Sequence, residues 1–156
     1  MTTQEEAAWR ALARAVLVIP RVLDAELLES QGLNITEYNV LMNLSEAADH
    51  SLRMSELANF VSITGSGLTR VVERLSHRGL VERVRAESDG RGQLAVLTAA
   101  GLERLQQAWP SHLATVRRLV IDHLDGLDLV TLAEALANIA SAEVGPPVRR
   151  TAPSRG

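Results

Sequence analysis

Neither cysteine nor lysine occurs in the 156 residues of the chain. Without cysteine there is no disulfide and no thiolate nucleophile. All 16 basic residues are arginine, a bias consistent with a high-GC genome that carries no mechanistic weight by itself. Aromatic residues make up only 3% of the chain, so a core has to be built mainly from Leu, Val and Ala, which favours helices. No apolar run approaches the roughly 18 residues of a membrane-spanning helix. The opening MTTQEEAAW lacks the basic stretch of a secretory signal, so a cytoplasmic protein without a membrane partner is expected. The motifs G-x-S-x-G, H-E-x-x-H, the P-loop and G-x-G-x-x-G are missing too, and no enzyme is expected. Gly65-Ser66-Gly67 resembles a phosphate loop only superficially, because it lacks the lysine and the preceding strand. His112 and His123 lie eleven residues apart on one expected helix, ~16 Å at the helical rise, too far to share an ion. No potential ligand follows His50 or His77 at i+3 or i+4. Neither a metal nor a cofactor is expected.

What is present is enough for one domain. Apolar residues form 46% of the chain, ample for a core. The net charge of −3 argues weakly against nucleic-acid binding, but its distribution reverses the argument. Residues 1–61 hold four arginines against nine acidic residues, whereas 62–98 hold six against four. Residues 99–144 are acidic again, and 145–156 carry three arginines. The basic stretch within the expected fold is therefore 62–98, the footprint of a polyanion-binding surface.

That stretch belongs to a helix, a turn, a second helix and a hairpin, spanning 54–98. Ser55 is the expected cap of a short helix whose apolar face is Leu57, Ala58 and Val61. Thr64 caps a second helix with Leu68, Val71, Val72 and Leu75 on one side, and Gly79 ends it. Ser66, Thr69, Arg70 and Arg74 share the opposite face, which no core needs. Short hydroxyls early in a helix, with arginines one and two turns on, suit base edges and phosphates in a major groove. The plain alternative is a solvated face in which Arg74 pairs with Glu73, or Arg70 with Glu73 or Glu82. Two β-prone runs follow, Val81–Arg85 and Gln93–Leu97, joined by a tip that holds Asp89, Gly90, Arg91 and Gly92. Arg91 is placed to enter a minor groove, with Asp89 to orient it. A charged hairpin tip with no partner is the simpler alternative there.

The strings SGLTRVVERL (66–75) and RGLVER (78–83), with Asp89-x-Arg91 leading into LTAAG (97–101), resemble the winged helix-turn-helix regulators of the MarR (multiple antibiotic resistance regulator) family. The resemblance implies a mainly α fold with a small β-wing, in which a winged helix-turn-helix part at 36–98 is flanked by long dimerisation helices at 5–30 and 99–142. Residues 5–144 would form one domain, followed by a disordered tail at 145–156. It further implies a repressor that binds a palindromic double-stranded DNA operator as a homodimer. The expected DNA contacts are Ser62, Thr64, Ser66, Gly67, Thr69, Arg70, Arg74, Asp89 and Arg91. The peroxide sensing by cysteine found in some members is excluded here. A winged helix used purely as a protein-interaction module is the alternative function.

The flanks fit this outline. Trp9, Leu12, Ala13, Val16, Ile19, Leu23 and Leu27 form a continuous stripe, with a kink or break expected at Pro20. Thr36 is the expected cap of a helix over about 37–47, followed by a loop that holds one short strand. Thr98 caps a helix over 99–123 that bends at Pro110, and Asp128 caps the last, over 128–142. These helices carry more apolar face than the reading head can cover, and a two-fold dimer would bury the surplus. The resemblance also implies a small anionic or aromatic effector, for which Trp9, Tyr38, Trp109 and His112 are the candidate cavity residues. Core and dimer packing accounts for the same four residues more simply.

Overall fold

The computed structural model describes residues 1–85 and 92–141. Its order is α1 (Thr3–Gln31), α2 (Ile35–Glu46), β1 (Ser51–Arg53), α3 (Met54–Phe60), α4 (Gly65–His77), β2 (Val81–Arg85), β3 (Gln93–Leu97), α5 (Ala99–Leu119) and α6 (Leu129–Ser141). Short 3₁₀ turns occupy Ala48–His50 and Ile121–His123. The chain forms two compact units, Met1–Leu119 and the remainder from Val120.

Local chemistry sets most boundaries, with some differences from expectation. Helix α2 starts at Ile35, because the Asn34 carboxamide accepts the Glu37 N–H at 2.8 Å while Glu37 Oε2 accepts the Asn34 N–H at 3.3 Å. Asn34 is a stronger cap than Thr36 and closes a reciprocal pair, so it displaces the expected start. Helix α3 likewise begins before Ser55, with the Arg53 N–H donated to Glu56 Oε2 at 3.3 Å. Thr64 and Thr98 cap as expected, accepting from the N–H groups of Gly67 at 3.1 Å and Gly101 at 3.0 Å. Asp128 accepts from the Thr131 hydroxyl and from the N–H groups of Thr131 and Val130, which together hold its carboxyl below the usual range.

Neither internal proline divides its helix. Helix α1 runs unbroken through Pro20 and α5 through Pro110. Both positions are exposed, so water can solvate the carbonyl that each ring deprives of a partner. The expected break at Pro20 is absent.

The core lies within the first unit. Leu27 and Leu33, Tyr38, Leu41 and Leu44 of α2, Leu57 of α3, Leu68, Val72 and Leu75 of α4, Val81 and Leu105 are all buried. The three strands form an antiparallel sheet in the order β1-β3-β2, with Ala95 of β3 opposite both Leu52 and Arg83. The expected short strand before α3 is thus β1. Gly101 sits where the first turn of α5 crosses the start of the wing: a Cβ there would lie 2.0 Å from the Leu80 carbonyl oxygen. Only glycine permits this approach.

Helix α1 buries little of its apolar stripe within one chain. Leu27 is buried, whereas Trp9, Val16, Leu17 and Leu28 are exposed. In the second unit, Val130, Leu136 and Ile139 of α6 are exposed as well. Among the described residues no helix is long and apolar enough to cross a membrane.

Candidate nucleic-acid interface

Helices α3 and α4 meet through a tight turn. The Val61 N–H closes on Leu57 O at 3.0 Å and the Ile63 N–H on Ala58 O at 3.1 Å. Ser62 between them takes φ +54°, a left-handed backbone that a non-glycine residue adopts at a cost. Helix α4 then buries Leu68, Val71, Val72 and Leu75 against the core. Each such burial is worth about 1.5–3 kcal/mol, so the apolar stripe dictates which side of α4 faces out.

The outward side carries the expected contact residues in three different situations. Ser66 and Arg70 are exposed, and Arg70 has no ion-pair partner among the described residues. Thr69 donates its hydroxyl hydrogen to Gly65 O at 3.0 Å, which leaves an acceptor lone pair and a methyl group to present outward. Thr64 and Gly67 are occupied by the cap itself. A Cβ on Gly67 would stand 3.1 Å from Thr64 Oγ1, so this glycine keeps the first turn tight.

Arg74 differs from expectation. Its Nε donates to Glu37 Oε1 at 3.0 Å, and the Arg78 guanidinium reaches Glu37 Oε2 at 3.3 Å. The Glu37 side chain is only 6% exposed, against 51% for Arg74 and 37% for Arg78. Glu73, the partner expected from sequence, lies 3.5 Å from Arg83 of β2, which also donates to Gln93 of β3. Helix α4 is therefore tied on one side to α2 and on the other to the wing. Sequence reasoning missed Glu37, Arg78 and Arg83. The cap expected from sequence is Thr36, and nothing local marks the Glu37 carboxylate as a receptor for two arginines. Asp89 and Arg91 at the wing tip lie outside the described residues.

The four candidate effector residues divide into two kinds. The Tyr38 and His112 rings lie 4.3 Å apart at 40°. Burial, followed by the charge of Glu46, pushes the Tyr38 phenol up, while burial pulls His112 below its ordinary value against the opposing charge of Glu26. His112 Nδ1 and Glu26 Oε2 are buried without a hydrogen-bond partner among the described residues. Trp9 and Trp109, by contrast, are 61% and 42% exposed. No group of three metal-ligating side chains occurs among the described residues.

Comparison with known proteins bears directly on this arrangement. The model of the MarR family matches residues 31–92. Sco3205, a MarR family transcriptional regulator from Streptomyces coelicolor solved in complex with DNA, is 35% identical with a TM-score of 0.86, covering 94% of this chain and 95% of its own. The chain belongs to the MarR family. A second MarR family regulator of the same organism, AbsC, is 38% identical with a TM-score of 0.85, over 94% of this chain and 98% of its own. Among curated MarR-type relatives, the repressor YetL of Bacillus subtilis is 30% identical over 61% of this chain and 57% of its own. The repressor MprA of Escherichia coli is 32% identical over 54% and 48%. The matches thus span about half the length of these curated relatives. In this chain the winged helix-turn-helix of that fold comprises α3, α4 and the paired strands β2 and β3.

Proposed function

We propose that this chain is a sequence-specific DNA-binding repressor that acts as a homodimer in the cytoplasm and is not an enzyme. One observation carries the reading: the outward face of α4 presents Ser66, the Thr69 acceptor and an Arg70 without an ion-pair partner among the described residues. A helix held rigidly by Leu and Val on one side, with that set on the other, matches the needs of major-groove reading. The likeness to a regulator solved with DNA supports it.

Dimerisation follows from the apolar side chains that α1 and α6 each leave exposed, and a two-fold partner would bury them. Two recognition helices one DNA turn apart, ~34 Å, would then read a palindrome. Asp89 and Arg91 are proposed to guide the wing along the minor groove, and Ser62 to lie against the backbone. The Tyr38–His112 pair, with Tyr38 buried and His112 partly buried, is the proposed place for a small aromatic or anionic effector that loosens the complex by favouring a dimer geometry misaligned for DNA. Trp9 and Trp109, with their exposed faces, would then serve the subunit interface.

The test is selection of duplexes from a random pool by the wild-type protein, followed by titration of Arg70→Ala on the enriched and scrambled duplexes at several salt concentrations. Loss of Arg70 should cost about 1–3 kcal/mol on the enriched duplex and flatten the preference between the two. If wild-type binding lacks a steep salt dependence, or nothing is enriched, DNA reading is refuted in favour of a protein-interaction module.

A further inference from the structure

We propose that Glu37 is a positioning residue for DNA reading: its buried carboxylate sets the recognition helix through Arg74 and Arg78 and leaves the Nη edge of Arg74 free for a phosphate. This rests on the duplex-binding reading above. Glu37 lies at the N-terminus of α2, whose helix dipole favours a carboxylate, and both of its oxygens are occupied. Oε1 accepts from Arg74 Nε at 3.0 Å, and Oε2 accepts from Arg78 Nη1 and from the Asn34 N–H, each at 3.3 Å. Arg74 in the last turn of α4 and Arg78 at its C-cap stand four residues apart, where like charges would otherwise repel. A single carboxylate, on a helix more than thirty residues earlier in the chain, pairs with both and offsets part of that repulsion.

Two features point to positioning and not to stability alone. Buried ion pairs contribute little net stability compared with apolar packing, and their best-attested use is to specify register. The α4 stripe of Leu68, Val71, Val72 and Leu75 is aliphatic and its contacts are non-directional, whereas the ion pair to Glu37 is directional and fixes the angle at which Arg74 is held. Secondly, Arg74 bonds Glu37 through Nε, and its Nη groups have no acceptor among the described residues. One edge of the guanidinium is held while the other is presented, which suits bidentate recognition of a phosphate.

Glu37→Gln gives a test with a definite sign. Glutamine retains the capping geometry of α2, and both arginines reach water, so the fold can persist. Removing a negative charge would by itself tighten binding to any duplex. Positioning predicts the opposite on the duplex enriched by the wild-type protein: about tenfold weaker binding, with scrambled-duplex affinity unchanged or tighter. In an Arg74→Gln/Arg78→Gln background, Glu37→Gln should leave the ratio of the two affinities where it was. The proposal is overturned if Glu37→Gln keeps the wild-type ratio, even with a lowered melting temperature, or if it costs the same factor in the double-arginine background. Failure of the wild-type protein to enrich any duplex would overturn the DNA-reading function itself, a result separate from either of these.

Discussion

Gly101→Ala sets local preference against tertiary packing. Gly101 lies in the first turn of α5, where helix propensity alone makes alanine more favourable by about 1 kcal/mol. The added Cβ would meet Leu80 O at 2.0 Å and Leu97 Cδ1 at 2.7 Å, whereas real Cβ contacts below 3.0 Å are essentially absent. The leucine side chain can rotate, but the carbonyl cannot. Leu80 O accepts the Thr98 N–H at 3.2 Å, and the Leu80 N–H is bound to Leu75 O at 2.9 Å at the end of α4. Opening the gap by about 1 Å therefore strains the junction between α4, β2 and α5. Overpacking of this kind costs about 1–3 kcal/mol, and disrupting the Thr98–Leu80 bond adds about 0.5–1.5 kcal/mol. After the propensity gain of about 1 kcal/mol, a net loss of about 0.5–3.5 kcal/mol is expected. Urea denaturation at matched protein concentration measures it, since the stability of the proposed dimer would depend on concentration. If the variant is as stable as the parent, or gains the propensity increment, the close approach does not constrain the fold and the argument is wrong.

Two further substitutions probe the turn and the Tyr38–His112 ring pair. Ser62→Gly should stabilise the protein by about 0.5–1 kcal/mol by relieving its φ of +54°, read as a higher urea midpoint; no change would mean the turn is unstrained. If the Ser62 hydroxyl also contacts DNA, the same variant loses affinity on the enriched duplex while gaining stability. For His112, burial lowers the folded-state pKa below its ordinary value near 6.5, so the native state prefers the neutral ring. Its contribution is full above that value and is lost as pH falls through it towards the lower folded pKa. His112→Gln should therefore flatten the fall in stability between about pH 7 and 5, in denaturant titrations across that range. An unchanged slope would assign the acid sensitivity to other groups.

How much of this was legible in the sequence follows the range of the interactions. The apolar stripe of α4, the caps at Thr64, Thr98 and Asp128, the end at Gly79 and the paired β2 and β3 runs are local patterns, repeating every 3.6 or two residues or depending on a neighbour three positions away. Such features are written in adjacent residues and can be read in order. The start of α2 was misplaced because two plausible caps, Asn34 and Thr36, stand two residues apart, and only the reciprocal bond with Glu37 decides between them. The charge partners on α4 were beyond reach for a stronger reason. Arg74 has an acid beside it in Glu73, yet it pairs with Glu37, because the packing of α2 against α4 brings that carboxylate closer than the helix surface brings its neighbour. Gly101 is equally mute in sequence, where it reads as a weak point in a helix. Only the path of the Leu80 backbone makes it a requirement. Periodicity determined which side of α4 faces inward, while tertiary packing decided which of its outward charges are already committed to Glu37.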